Sequence, residues 1–337
     1  MKIIIPGGTG QIGRILAHAF HEEGHEVVVL SRGAVADAPF RVVPWDARSL
    51  GGWVAEFEGA DAVINLAGRS INCRYTPANL RALTESRVDA TLIVGQAIRR
   101  AANPPRVWLQ ASTATIYAHR YDAPNDELTG LMATGATDTP KTWQDILKVA
   151  TAWEQAATEG GPLPHTRQVL LRTTIMMSAE PGGAFEVMLG LVRRGLGGRA
   201  GDGRQYVSWI HEHDFVRAVR WLIDRDTLAG PVNLAAPGPL PNAEFMRALR
   251  EAWGRRLGLP ASGLVLEAGA WFMRTETELI LKSRRVVPTR LLQDGFKFEF
   301  PEWAGAARDL CARWRAVRQK ASSFAEATED KEGFGRR

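Results

Sequence analysis

Two cysteines, Cys73 and Cys311, in 337 residues are too few for a disulfide framework or a four-cysteine zinc site, and they fit a reducing compartment. Lysine is scarce, occurring only at positions 2, 141, 148, 282, 297, 320 and 331. No stretch approaches the uninterrupted apolar length that a membrane span needs. The N-terminus runs from Met1 and Lys2 straight into Ile3-Ile4-Ile5 and then glycines, without the apolar segment and cleavage site of a signal peptide. A cytoplasmic protein with no membrane partner is therefore expected. The net charge of +5 permits anionic partners, yet basic residues are scattered among acids rather than gathered into one stripe, which argues against nucleic acid. Arginine far outnumbers lysine, and guanidinium forks suit diphosphate ligands; the base composition of the source genome explains the same bias equally well.

What is present is a folded chain, 45% hydrophobic and 23% charged, long enough to bury a substantial core. Lys2–Pro6 is a short apolar strand, a glycine turn follows, and residues 11–23 carry helical spacing at Ile12, Ile15, Leu16, Ala19 and Phe20, closed by Gly24. Residues 26–30, 40–43, 61–66, 106–111 and 168–172 read as further strands, and 77–100 and 143–158 as helices. Strands alternating with helices predict an α/β Rossmann fold with a doubly wound parallel sheet in residues 1–175. Beyond it the pattern predicts helices at 184–194, 212–224, 242–253 and 267–281, separated by Gly/Pro-rich joints. They form a smaller, mostly helical C-terminal substrate lobe over residues 176–318, interleaved with the core. Residues 319–337 are polar and aperiodic and read as a disordered tail. An apolar helix over 264–281 would pack inside the lobe or against a second copy in a homodimer.

The turn Gly7-Gly8-Thr9-Gly10-Gln11-Ile12-Gly13 leaves a strand and enters a helix, where free backbone N–H groups and the helix dipole bind a pyrophosphate. Gly7, Thr9, Gly10, Gln11, Ile12 and Gly13 are the expected contacts. An NAD site would carry Asp or Glu at the end of the second strand; this chain has Ser31-Arg32, a hydroxyl and a guanidinium that complement a 2′-phosphate. The expected cofactor is NADP(H).

Together with Asn65-Leu66-Ala67-Gly68, Ser86-Arg87, Trp153-Glu154, Leu171-Arg172-Thr173, Gly203-Arg204-Gln205, Ser208-Trp209-Ile210-His211, Asp214, Gly230-Pro231-Val232-Asn233, Arg285-Val286-Val287-Pro288 and Gly295-Phe296, this turn resembles the short-chain dehydrogenase/reductase superfamily in its extended, epimerase-like form, to about residue 310. Within it the chain is similar to the sugar-nucleotide epimerase-like family that carries a C-terminal extension. The resemblance implies that Asp46 and Ala47 flank the adenine, that Leu66, Ala67 and Gly68 line the ribose side, and that Arg87 approaches the cofactor. It also implies that Arg172 lies near the nicotinamide. Asp46 could equally cap a helix starting near Ser49.

Active members pair a Ser or Thr with Tyr-x-x-x-Lys, whose cation lowers the phenol's pKa. Thr113 holds the Ser/Thr position. The Trp153-Glu154 alignment puts Ile146 and Ala150 where tyrosine and lysine belong, and Lys148 falls on another helix face. Tyr117 is the nearest substitute acid, although packing or substrate contact suits it better. Arg204, Gln205, Ser208 and His211 form the candidate substrate cluster; His211 and Asp214 at a helix start also suit a capping pair. No second histidine lies at ligand spacing, so no metal is expected. Two functions follow: an NADP(H)-dependent epimerase-like oxidoreductase of atypical mechanism, acting on a small polar or nucleotide-linked substrate, or a non-catalytic NADP(H)-binding regulatory protein, with a link to cell division.

Overall fold

The structure is a computed structural model that describes residues 1–133, 140–262, 276 and 278–334. Six strands and three helices come first: β1 (Lys2–Pro6), α1 (Gln11–Glu22), β2 (Glu26–Ser31), β3 (Arg41–Pro44), β4 (Ala62–Asn65), α2 (Pro77–Arg100), β5 (Val107–Thr113), α3 (Lys141–Thr158) and β6 (Arg167–Thr173). They pair in parallel in the order β6-β5-β4-β1-β2-β3.

Successive side chains of a strand point to opposite faces, and here both faces are covered. Ile3, Ile5, Val27, Val29, Leu109, Val169 and Leu171 pack on Leu16 and Phe20 of α1 and on the later helix α5 (Glu212–Asp224). Ile4, Val28, Leu30, Trp108 and Leu170 pack on Ala90, Ile93, Val94, Ala97 and Ile98 of α2. Each such large side chain contributes about 1.5–3 kcal/mol on burial. α2 starts on Thr76, whose hydroxyl accepts from Asn79 N, with Pro77 at its first position.

A seventh parallel strand lies outside the first 175 residues. Gly230–Leu234 pairs with β6 from Gly230↔Val169 to Leu234↔Thr173, so the second half of the chain completes the sheet. Two further helices, α4 (Ala184–Arg193) and α6 (Asn242–Trp253), pack with the C-terminal helix Trp303–Phe334 around Phe185, Leu189, Trp209, Phe245 and Trp303. Trp303 stacks on Phe245 at 4.0 Å. This is the smaller helical lobe.

From residue 319, where the sequence reads as a disordered tail, the backbone stays helical to Phe334. Residues 321–331 are rich in Ala, Glu and Lys, strong helix formers that extend a helix already nucleated by Trp303–Trp314. Most of the helix expected at 267–281, with the apolar face considered for a homodimer, lies outside the described residues; Glu278–Leu281 is helical. Among the described residues no helix is long and apolar enough to cross a membrane.

Candidate functional site

The glycines of the first turn answer different demands. Gly7 has φ +76°, and a Cβ on it would stand 2.6 Å from Ala67 Cα. A Cβ on Gly13 would stand 2.4 Å from Gly8 Cα, so helix and turn close only with glycine there. Gly10 is different: its φ of −69° suits any residue, and a Cβ would meet only Gly7 O, at 3.9 Å. The space above Gly10 belongs to no protein atom described. α1 has no side-chain N-cap and no acid in its first turn, so its N–H groups and dipole face that space. A diphosphate fits these residues.

The flanking positions divide. Ile12 packs into the core, while Thr9 O accepts from Arg14 Nη1 at 3.1 Å. Gln11 Nε2 donates to Glu180 O at 3.0 Å and Pro181 O at 3.4 Å, tying the turn to the loop before α4. Ser31 is buried and its Oγ accepts from Gly33 N at 3.2 Å, which holds the turn that presents the exposed Arg32. Asp46 closes a local turn: Oδ1 accepts from Arg48 N and Ser49 N at 2.9 Å each, and the Ser49 hydroxyl donates to Oδ2, while the next helical turn, Gly52–Phe57, starts at Gly51 without a side-chain cap. Those bonds, the Ser49 hydroxyl first, hold its pKa down to about 2.

Leu66, Ala67 and Gly68 leave the end of β4 at the sheet's C-terminal edge. Asn65, fully buried, shapes that exit by accepting from Ala67 N at 3.1 Å and donating to Gln110 Oε1 at 2.8 Å. Arg87 is buried beneath Gly68, donating to Leu83 O at 3.1 Å and Arg69 O at 2.9 Å, and lies 4.9 Å over the Trp153 ring. Burial pulls its pKa down to about 10. A Cβ on Gly68 would stand 3.2 Å from Arg87 Cγ, so the glycine makes room for the guanidinium.

Thr113 ends β5. Its Oγ1 accepts from Thr115 N at 3.2 Å, which leaves the hydroxyl proton free to donate outward. Ile146 and Ala150, at the tyrosine and lysine positions, are buried apolar residues on α3. Lys148 is exposed and pairs with Asp145 at 3.1 Å.

Arg172 and Tyr117, expected near the nicotinamide and as a substitute acid, share one buried network. Arg172 forks onto Glu154, Nε at 2.9 Å and Nη2 at 2.8 Å, and its Nη1 donates to the Tyr117 hydroxyl at 3.0 Å. That hydroxyl donates to Asn233 Oδ1 at 3.0 Å, and Ser112 donates to Glu154. Burial opposes the charge on Arg172, but the Glu154 carboxylate outweighs it and holds the guanidinium above its ordinary pKa. Burial pushes the Tyr117 phenol up, so it stays protonated.

The expected substrate cluster is also redrawn. Gln205 Nε2 donates to Ala200 O at 2.9 Å and Ile280 O at 3.3 Å. Ser208 donates to Arg284 O and accepts from Val286 N at 2.8 Å. His211 caps α5 through His213 N at 3.1 Å, faces Asp309 at 3.0 Å and stacks on Phe300 at 3.9 Å. Burial drives its pKa down to about 4, against the pull of Asp309, so it does not titrate near neutrality. All three are buried, and each bonds at least once to the C-terminal segment. Arg204 alone stays exposed, 5.9 Å over the Tyr121 ring.

Near Tyr121 the fold collects residues that sequence reasoning missed. His119 rings against Tyr121 and Trp143, and Lys282, buried, donates to Thr115 O at 2.8 Å. One signal was visible: Lys282, Arg284 and Arg285 gather positive charge within four residues of the extension. Among the described residues no group of three or more His, Cys, Asp or Glu is arranged to hold a metal ion.

Comparison with known proteins adds the following. The NAD dependent epimerase/dehydratase family matches residues 3–235, and a domain of unknown function (DUF1731) matches residues 261–310. The epimerase family protein SDR39U1 of Homo sapiens is 32% identical over 316 residues, covering 93% of this chain and all of that protein. The epimerase family protein YfhF of Bacillus subtilis is 29% identical over 322 residues, covering 94% of this chain and all of its own. A crystal structure of human SDR39U1 (isoform 2) with NADPH superposes with TM-score 0.80 at 30% identity, over 93% of this chain and 99% of that one. UDP-N-acetylglucosamine 4-epimerase from Bacillus cereus, at TM-score 0.68 and 16% identity, over 94% of this chain and 99% of that one, shares the fold.

Proposed function

The chain belongs to the NAD dependent epimerase/dehydratase family, and from that footing we propose that it binds NADP(H) over Gly10 and acts as an oxidoreductase on a small polar or nucleotide-linked substrate. The observation that carries the cofactor is Gly10 itself, a glycine that no backbone angle and no protein neighbour requires, at the uncapped start of α1. The NADPH reported with human SDR39U1 supports the same reading. Gly7, Gly10 and Gly13 with the first amides of α1 would hold the diphosphate; Arg32, with Ser31 shaping its turn, would take the 2′-phosphate; Leu66, Ala67 and Gly68 would line the ribose side, with Arg87 behind them.

When bound, NADPH supplies a hydride from its nicotinamide. Thr113 donates its free hydroxyl proton in a hydrogen bond to the substrate's reacting oxygen. The mechanism lacks the Tyr-x-x-x-Lys pair, because Ile146 and Ala150 put hydrocarbon at those positions and Tyr117 is sealed behind Arg172. The Tyr117 phenol is excluded from proton transfer. Arg204, exposed beside Tyr121, remains available to a substrate anion.

A second reading, a non-catalytic protein regulated by NADP(H), is favoured by the same buried Ile146 and Ala150. Nicotinamide fluorescence during NADPH titration, together with its absorbance in the presence of ketones, aldehydes and sugar nucleotides, separates the two. Binding with turnover supports the oxidoreductase; tight binding without turnover of any carbonyl supports the regulator. No binding removes both.

A further inference from the structure

The helical lobe holds a cavity of about 360 Å³ where the C-terminal ends of α4 and α6 meet, lined by Gly190, Arg193, Arg194, Trp253 and Arg255. Arg250 Nη1 donates to Gly197 O at 2.7 Å and so clamps the chain leaving α4 to α6. Gly254, at φ +86°, ends α6 in a left-handed turn that leads directly into Arg255. Trp253 and Trp314 meet edge to face at 5.6 Å, and the Arg193 guanidinium lies 4.6 Å over Trp314 and 5.9 Å over Trp253.

Three guanidinium groups line this cavity and, among the described residues, no carboxylate does. A guanidinium packed on a ring is held by its face, while its N–H donors, which lie in its plane, stay available. Among the described residues the Arg193 and Arg255 side chains donate no hydrogen bond, and Arg194 spends one nitrogen on Gly190 O, at 3.2 Å within its own turn. The acids of the two helices are engaged or stand elsewhere. Glu186 accepts from Arg318 Nη2 at 2.7 Å and from Gly182 N at 2.8 Å, Glu251 pairs with Arg247 at 2.9 Å, and Glu244 belongs to the first turn of α6. The two helix C-termini offset about half a charge each, against three full positive charges, so the cavity stays positive.

The dinucleotide turn lies elsewhere. Gly183, before the first residue of α4, sits against Gln11 of that turn, and the ten residues of α4 put about 15 Å between that contact and the cavity.

We propose that this cavity is a second anion site, which takes a phosphorylated small molecule larger than orthophosphate. A phosphoryl group offers several charged oxygens to several forks at once. The volume falls in the range of small-molecule sites and leaves room for the body that carries the phosphate. The inference stands apart from the cofactor and oxidoreductase readings above.

The test uses the full chain loaded with one equivalent of NADPH at ~0.15 M ionic strength. Tryptophan indole nitrogens are labelled for NMR, and the Trp253 signal is assigned by its loss in Trp253→Phe. Inorganic pyrophosphate and phenyl phosphate are the probes, with citrate as the carboxylate comparison. The expected result is saturable movement of the Trp253 signal with a phosphate probe, about tenfold weaker in Arg193→Gln and in Arg255→Gln. Arg100→Gln, an exposed arginine at the end of α2, leaves that affinity unchanged. If Arg193→Gln lowers the melting temperature by disturbing the two tryptophans, Arg255→Gln, in the exposed segment after α6, decides alone. A Trp253 signal that stays still at millimolar probe overturns the proposal, as does equal weakening in Arg100→Gln. Preference for citrate over both phosphate probes overturns the ligand class. Tighter binding of a single-stranded oligonucleotide through the same arginines overturns it in favour of nucleic acid.

Discussion

Arg172 Nη1 lies 3.0 Å from the Tyr117 hydroxyl while its other nitrogens fork onto Glu154. A cation beside a phenol is the arrangement that activates tyrosine in related enzymes, but the guanidinium here is already neutralised by a carboxylate and the phenol is 2% exposed. The pair joins the ends of β5, β6 and the seventh strand through Asn233.

Breaking it is therefore a stability experiment. Arg172→Met leaves the partly buried Glu154 carboxylate without its ion-pair partner and is expected to cost up to about 3 kcal/mol, as urea unfolding would measure. Tyr117→Phe removes one buried hydroxyl pair and is expected to cost about 1–3 kcal/mol while leaving any turnover intact. Loss of turnover in a stable Tyr117→Phe protein would restore the phenol to the mechanism.

The glycines predict opposite outcomes at two positions three residues apart. Gly10→Ala is expected to keep its melting temperature and lose NADPH affinity tenfold or more, since about 1.4 kcal/mol of steric loss at the diphosphate suffices. Gly13→Ala, with a Cβ at 2.4 Å from Gly8 Cα, is expected to destabilise the fold by about 1–3 kcal/mol.

Arg32→Glu places a carboxylate at the end of β2. NADPH affinity should fall about tenfold or more and NADH affinity should hold or rise, because the new charge repels a 2′-phosphate and accepts from a ribose hydroxyl. Parallel titrations with the two cofactors check it.

His211 sets a pH dependence. Its folded pKa is about 4 against 6.5 for the ordinary group, so between those values the unfolded chain binds the extra proton. Stability from this residue is complete above about pH 6.5 and is lost progressively as pH falls toward about 4. His211→Asn, compared with the parent by denaturant unfolding across that window, should flatten this part of the profile.

The first half of the fold was legible because its information is local. Ile3-Ile4-Ile5, the glycine turn and the spacing of Leu16 and Phe20 declare a strand, a turn and a helix within two dozen residues. The bounds of α5 and α6 were equally readable from apolar periodicity. Gly230–Leu234 was not read as a sheet strand, since its partner β6 lies some sixty residues earlier and only tertiary pairing reveals it.

The site was legible in part for the same reason. Gly10 and Arg32 sit in a motif; Gln205, Ser208 and His211 look like ligands until their partners at 280–286 and 309 are seen. A polar side chain has the same letter whether it faces solvent or a buried carbonyl. His119 had no motif, and its partner Ser283 lies 164 positions away.

That separation has a consequence for biosynthesis. Lys282 and Ser283 reach back 167 and 164 residues to Thr115 and His119, and Arg290 reaches back to Pro231 and Ala229. A ribosome finishing the glycine turn has yet to make Ala67, on which the turn packs, the strand Gly230–Leu234 that completes the sheet, and the residues that hold Thr115 and His119. During synthesis, the nascent chain therefore passes through a stage in which Thr115 and His119 lack these partners. Messages cut short before codon 282 would yield products frozen at that stage.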